Sequence, residues 1–230
     1  MSDLFNIRDK SVVITGGGGV LCSAMAKALD KAGARIAVLD LDEVAAAQVA
    51  DEIKSSGGLA IAVKCDVLDK ASLESAKEEV NSVYGRIDVL INGAGGNKKE
   101  ATTSPEMPFF DLPKDAVGFV FDLNFLGTLL PSQVFGKEMA ENGSGTILNI
   151  SSMCAFSPLT KIAAYSAAKA AVSNFTQWLA VHICRNYSRD VRVNAIAPGF
   201  FLTEQNRFLL TNEDGSPTAR GQQIIDHTPM

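Results

Sequence analysis

Tyr165 and Lys169 stand four residues apart in Ala163–Tyr187, a segment of helical spacing, so both lie on one helix face. A phenol and an alkylammonium each ionise near about pH 10 in isolation. An ammonium beside a phenol favours the phenolate, which fits the pair for acid/base work near neutrality. Ser152 follows the β-branched run Thr146–Ile150. A hydroxyl at a strand's carboxyl end can donate to a carbonyl oxygen and hold it against Tyr165. A Tyr-x-x-x-Lys pair alone fits a solvated helix face equally well.

A second constellation lies near the start. The run Ser11–Thr15 leads directly into Gly16-Gly17-Gly18-Gly19, and the helical pattern Leu21–Ala32 follows. Glycines between a strand and a helix allow a tight turn and a close approach of backbone to a pyrophosphate, where the helix N-terminus supplies free N–H groups. The strict G-x-G-x-x-G spacing is not met, because Leu21 stands at the sixth position, and a flexible strand–helix turn is the plain alternative. Asp40 ends the next strand, where a carboxylate can accept from ribose hydroxyls and repel a 2′-phosphate, favouring NAD over NADP. A capping or loop role is the alternative for Asp40 and the only reading for Asp3 and Asp42.

The elements that must position these residues alternate. Strands are expected at Ser11–Thr15, Arg35–Leu39, Leu59–Val63, Val89–Asn92, Thr146–Ile150 and Val191–Ala195. Helices are expected at Leu21–Ala32, Glu43–Ser55, from an Asp69 cap to Tyr84, over Lys114–Glu141 with a bend or break at Pro131, and at Ala163–Tyr187. This alternation predicts an α/β fold: a doubly wound, Rossmann-like parallel sheet covered on both faces, in a single domain over residues 1–230. The segment leading to Met230 reads as polar, with no closing helix or strand.

Bulk properties narrow the function. The chain has 230 residues, 47% apolar and 20% charged, with a net charge of −5, which disfavours nucleic acid and anionic membrane surfaces as partners. The four cysteines, Cys22, Cys65, Cys154 and Cys184, form no CxxC pair, and the only histidines are His182 and His227. Metal-ligand spacing is absent, and reduced thiols in a cytoplasmic protein are expected. No uninterrupted apolar run reaches spanning length, and no secretory h-region is present.

Taken in order, these residues resemble the short-chain dehydrogenase/reductase family over nearly the whole chain. The turn Thr15-Gly16-Gly17-Gly18-Gly19-Val20-Leu21-Cys22 resembles the family's T-G-x-x-x-G-x-G, with Val20 and Cys22 in place of its second and third glycines. Asp66-Val67 is similar to the pair that meets the adenine. Asn92-Gly93-Ala94-Gly95 is similar to N-N-A-G, with Gly93 in place of the second asparagine. Pro198-Gly199 with Thr203 resembles the segment that holds the nicotinamide carboxamide. Asn124, Ser152, Tyr165 and Lys169 match the catalytic tetrad. The resemblance implies NAD as cofactor, held by Gly16, Gly18, Gly19, Val20, Leu21, Asp40, Asp66, Val67, Asn92, Ala94, Tyr165, Lys169, Pro198, Gly199 and Thr203. It implies Tyr165 as proton donor or acceptor, Ser152 as carbonyl orienter, Lys169 as the group that lowers the tyrosine pKa and binds ribose, and Asn124 as the holder of a relay water. Cys22 is expected to cost a little cofactor affinity or stability, and Gly93 to loosen its turn. The family usually adds a further helix and strand after the point matching Met230, which help build a tetramer; a shortened form or a missing tail, and a homo-oligomer (tetramer or dimer), are the corresponding expectations.

The loop after Gly95 borders the same edge. Lys98 and Lys99 there, and Arg207 further on, could meet a substrate carboxylate beside Ser152; solvated surface cations are the alternative. The stretches Asn97–Gln133 and Pro198–Asn206 resemble the family's D-mannonate oxidoreductase (fructuronate reductase) branch, which implies a small sugar-acid substrate. Gluconate 5-dehydrogenases and polyol dehydrogenases of the same family stay open, as does a non-catalytic dinucleotide-binding or interaction protein. Phe119, Phe121, Phe125, Phe135, Phe175 and Trp178 read as core or subunit packing, Met153 as pocket wall or core, and His182 as structural.

Overall fold

In the computed structural model the described residues are 5–202, 207 and 210–228. They fall into two compact units, residues 1–197 and 198–230.

The first unit is built on six parallel strands: β1 (Ser11–Thr15), β2 (Arg35–Asp40), β3 (Leu59–Lys64), β4 (Val89–Asn92), β5 (Gly145–Ile150) and β6 (Val191–Ile196). Their order across the sheet is β3-β2-β1-β4-β5-β6, with all five pairings parallel. Side chains alternate between faces, so Val13 and Leu90 enter one core with Phe135, Met139 and Ile183. Val12, Ile14 and Ile91 enter the other with Ala26, Val49 and Ile53. One face is therefore covered by α1 (Val20–Lys31) and α2 (Glu43–Ser55). The other is covered by α3 (Lys70–Tyr84), α5 (Gly127–Glu141) and α6 (Ala163–Asn186). The doubly wound arrangement expected from the alternation is the one present.

Chain direction reverses at β1: the chain winds outward through β2 and β3, then returns to start β4 on the other side. Ligands bind at such a switch point, outside the carboxyl ends of the strands. The helix starts differ in a way that matters there. Asp42 caps α2 by accepting from Val44 N and Ala45 N, and Asp69 caps α3 by accepting from Ala71 N. The cap of α1 is Gly19, which has no side chain, and the first turn of α1 carries no acid. Its amide groups are left for something else to satisfy.

The segment expected as one helix with a fault at Pro131 is α4 (Lys114–Phe121), a π turn over Asp122–Leu126, and α5. Pro131 stays inside α5. Proline cannot donate to the carbonyl four residues back and crowds it; here that carbonyl belongs to Gly127, whose ψ of −8° departs from the helical value of about −42° and turns it aside. The irregularity thus lies upstream of the proline. Lys114–Glu141 is also long and apolar enough to cross a membrane by length and composition; a mean tolerates the scattered polar residues that interrupt an unbroken run. Val134, Phe135 and Met139 of this stretch are core residues under the sheet.

The second unit holds an antiparallel bridge between Thr211 and Pro217 and a helix, α7 (Ala219–His227). Thr218 caps it by accepting from Gly221 N at 3.1 Å. The expectation of no further helix is corrected here. The sequence ARGQQIIDH has only two large apolar residues, so its periodicity is faint, while its cap and its helix-favouring residues suffice.

Candidate active site

The glycine turn closes on itself and on its neighbours. Gly16 has φ +63°, and a β-carbon there would press on the Ala94 backbone at 2.8–2.9 Å. Gly17 N donates to Leu39 O at 3.0 Å, and Gly19 N to Gly16 O at 3.1 Å. A β-carbon at Gly18 would collide with Ala45 at 2.7 Å and Asp40 Oδ2 at 3.1 Å. Side chains are excluded from this cradle, while Val20, at the first turn of α1, is half exposed and Leu21 packs against the core.

Asp40 lies at the turn. Its Oδ2 accepts from Gly18 N at 2.9 Å and its Oδ1 from Asp42 N at 3.0 Å. Asp66 turns its carboxylate to Leu68 N at 2.9 Å, and Val67 packs on Gly127. Asn92 points its side chain into the core, donating to Ser132 Oγ at 2.9 Å and Asn149 Oδ1 at 2.8 Å. Ala94 N donates to Thr15 Oγ1 at 3.3 Å, tying the loop after β4 to the end of β1.

The four candidate catalytic residues converge at the ends of β4 and β5. Asn124 sits in the π turn, fully buried, where its Nδ2 donates to Gly96 O at 2.7 Å and Val120 O at 2.8 Å and its Oδ1 accepts from Gly96 N at 3.2 Å. Lys169 is 4% exposed; its Nζ donates to Ile150 O at 2.8 Å and lies 5.6 Å from the Tyr165 ring centroid. Gly95 fits between Asn124 Oδ1 and Lys169 Nζ, since a β-carbon there would meet them at 2.6 and 3.3 Å. Ser152 begins a short 3-10 turn, accepting from Cys154 N at 3.3 Å, and its hydroxyl is close enough to Tyr165 to draw the phenol pKa down.

A turn of glycines under an uncapped helix, with an Asn–Ser–Tyr–Lys cluster beside it, is what a dinucleotide-dependent dehydrogenase needs. Residues 10–214 match the short chain dehydrogenase family. The chain belongs to this family. It is 50% identical to the uncharacterized oxidoreductase UxuB of Bacillus subtilis, covering 98% of this chain and 83% of that one. It is 31% identical to the 5-keto-D-gluconate 5-reductase of Escherichia coli, covering 93% and 80%. A solved structure from Haemophilus influenzae, described as a "putative D-Mannonate oxidoreductase" with bound NAD, superposes with a TM-score of 0.90 at 50% identity, covering 98% of this chain and 83% of that one.

Within this short-chain dehydrogenase the electrostatics differ from the simple expectation. Burial pushes the Tyr165 phenol up, the Cys154 sulfur adds to the rise, and the Ser152 hydroxyl draws it back in part. Burial also pulls the Lys169 ammonium down to about 8, against Cys154 and Cys22, which raise it. Lysine was expected to lower the phenol; here its charge is itself desolvated and directed to Ile150 O, so Ser152 supplies the downward pull.

Sequence reasoning missed a polar chain beneath the site. Thr128 Oγ1 donates to Asn124 O at 2.9 Å and Ser132 Oγ to Thr128 O at 2.7 Å. From Ser132 the chain passes through Asn92 and Asn149 to Thr176 Oγ1, at 2.9 Å from Asn149 Nδ2. It ties α5 and α6 to β4 and β5 just below the tetrad. The signal was available as polar residues at i+4 spacing, Asn124-Thr128-Ser132, on an otherwise apolar helix. Ser151 was also missed; its Oγ contacts Lys169 O at 3.2 Å and Ser173 Oγ at 2.6 Å.

Lys98 and Lys99 are exposed on the loop after β4, with Lys98 Nζ 5.1 Å from the Phe119 ring centroid. Pro198, Gly199 and Arg207 belong to the second unit. Thr203 and Asp3 lie outside the described residues. Phe135 is in the core, Met153 is partly exposed, and His182 stacks on Trp178 at 4.7 Å. Cys22, Cys65 and Cys154 are buried and Cys184 is exposed, all free. Among the described residues no group of His, Cys, Asp or Glu could hold a metal ion.

Proposed function

We propose that this chain is an NAD(H)-dependent oxidoreductase interconverting a keto sugar acid and its hydroxy acid, D-fructuronate and D-mannonate. The observation that carries the reading is the convergence of Asn124, Ser152, Tyr165 and Lys169 beside a glycine cradle whose second strand ends in Asp40. The cradle fits a dinucleotide: side chains are excluded at Gly16 and Gly18, and α1 begins without a side-chain cap. Asp40 would meet the ribose, with Asp66 and Val67 near the adenine. The family match runs across both compact units, which supports one functional domain with Pro198, Gly199 and Thr203 contributing to the cofactor.

The bound nicotinamide would carry the hydride. The protein's part is protonic and geometric. Tyr165, with its phenol raised by burial, is protonated at neutral pH and gives its proton to the developing alkoxide oxygen. Ser152 donates to the same oxygen and fixes the carbonyl against the phenol. In the oxidative direction Tyr165 accepts the hydroxyl proton, and Ser152, the group that draws the phenol down, favours the phenolate. Asn124, fixed by its bonds with Gly96, would hold the relay water. Lys98, Lys99 and Arg207 would recognise the substrate carboxylate.

The chain further works as a homo-oligomer in a cytoplasmic setting. The row Phe121, Phe125, Phe175 and Trp178, with Trp178 55% exposed, offers an aromatic face to a second copy, which light scattering of the parent and Trp178→Glu would test.

NADH oxidation at 340 nm with D-fructuronate, 5-ketogluconate and neutral ketoses tests the assignment. Turnover of fructuronate over neutral ketoses supports it. Preference for 5-ketogluconate moves the substrate toward that of the Escherichia coli relative. NADH binding without any turnover rejects the catalytic reading.

A further inference from the structure

Two of the departures from the family pattern, Cys22 and Gly93, meet in space. A β-carbon built on Gly93 would overlap Cys22 Sγ. The thiol that replaces a glycine in the first turn of α1 thus occupies the space left by the side chain missing after β4. Each departure alone was expected to cost something. Together they form one filled contact. Cys22 has nowhere else to go: it is 4% exposed and packed with Ile14, Ala26 and Ile91. Burial raises its pKa to about 11, so it acts as a small neutral wedge and not as a nucleophile.

The wedge lies between two functional segments. On one side α1 follows the glycine cradle. On the other, Gly93 N and Ala94 N donate to Thr15 Oγ1 at 3.2 and 3.3 Å, and the same loop continues to Gly95 and Gly96 against Asn124 and Lys169. We propose that Cys22 is a positioning residue: its sulfur, seated in the Gly93 gap, sets the spacing between the cofactor cradle and the loop that holds Asn124. Packed interiors transmit such a change, because there is no free volume to absorb it.

The inference deepens the function proposed above, on which its cofactor readout rests; its stability readout does not. The experiment is a double-mutant cycle with Gly93→Ala, Cys22→Gly and both together. NADH dissociation constants are measured well below each unfolding midpoint, where a role confined to stability leaves affinity unmoved, and urea midpoints are measured without cofactor. Gly93→Ala is expected to weaken NADH binding about tenfold and lower the midpoint, and Cys22→Gly to weaken binding about threefold. The double variant should recover to within about threefold of the parent. Recovery stops short because a β-carbon at 93 also meets Thr15 O at 2.9 Å. Single effects that multiply in the double variant overturn the pairing, and a midpoint that recovers while NADH affinity stays with the parent in all variants overturns the positioning role. If Gly93→Ala is insoluble, a soluble double variant supports the pair and an insoluble one overturns it. If the parent itself binds no NADH, the function proposed above fails, and additive midpoints would overturn the pair separately.

Discussion

Lys169 Nζ donates to the carbonyl oxygen of Ile150 at 2.8 Å, so the cation beside Tyr165 is anchored to the end of β5 and held out of water. Its ammonium is pulled down to about 8 in the folded chain, while the unfolded chain keeps an ordinary lysine near about 10.4. Between these values the unfolded state holds a proton that the folded state has released. Stability contributed by this group therefore rises with pH from about 8 to about 10.4, and the cost of burying the charge is fully present below about 8. The net shift corresponds to a cost on the order of 3 kcal/mol. Lys169→Met, without cofactor, is expected to unfold at higher urea than the parent at pH 7, with the gap narrowing toward pH 10. A variant less stable than the parent at pH 7 would show that this charge is not strained.

Tyr165→Phe removes the proton and little else. Turnover should fall about a thousandfold, while NADH affinity stays within about twofold of the parent. Ser152→Ala removes the group that draws the phenol down, so turnover falls about a hundredfold and the pH limb of alcohol oxidation assigned to the phenol moves upward. Surviving turnover in Tyr165→Phe refutes the assignment, and an unmoved limb in Ser152→Ala refutes the coupling.

Much of this architecture was legible. Strands with β-branched runs and helices with Asp42 or Asp69 caps announce themselves locally, and the ordered set from Gly16 to Lys169 names residues that the fold brings together at the carboxyl ends of the strands. What escaped has a physical reason in each case. A π turn has no residue signature, because widening by one residue depends on tertiary demands around Asn124. The polar chain through Asn92, Ser132, Asn149 and Thr176 reads in sequence as unrelated polar residues, since its members come from four elements. Cys22 and Gly93 looked like two defects because complementarity of volume is visible only once α1 and β4 are packed.

The brace that Asp40 provides for the glycine turn and the cofactor selection proposed for it can be separated by a substitution. It holds Gly18 N at 2.9 Å, and its negative charge would oppose a 2′-phosphate. Asp40→Ser should weaken NADH binding about tenfold and strengthen NADPH binding, as the charge is removed. Titration of both cofactors decides between the roles. Equal weakening of both would reduce Asp40 to a brace for the glycine turn.

Lys98 and Lys99 differ in what their charges already face. Lys98 lies over the Phe119 ring at 5.1 Å, an interaction worth about 0.5–1 kcal/mol at an exposed position, whereas Lys99 starts an exposed 3-10 turn, Lys99–Ala101, on the same loop. A carboxylate approaching this loop gains more from Lys99, because the Lys98 cation must first leave its ring. Lys99→Met is expected to raise KM for a keto acid about tenfold with little change in kcat, and Lys98→Met about threefold. Neutral ketoses should be unaffected by either. Because both lysines are exposed, the selectivity for the acid should shrink as salt rises. Steady-state kinetics at low and high salt with an acid and a neutral ketose measure this directly. Equal KM values for the two substrate classes in parent and variants would move carboxylate recognition away from this loop.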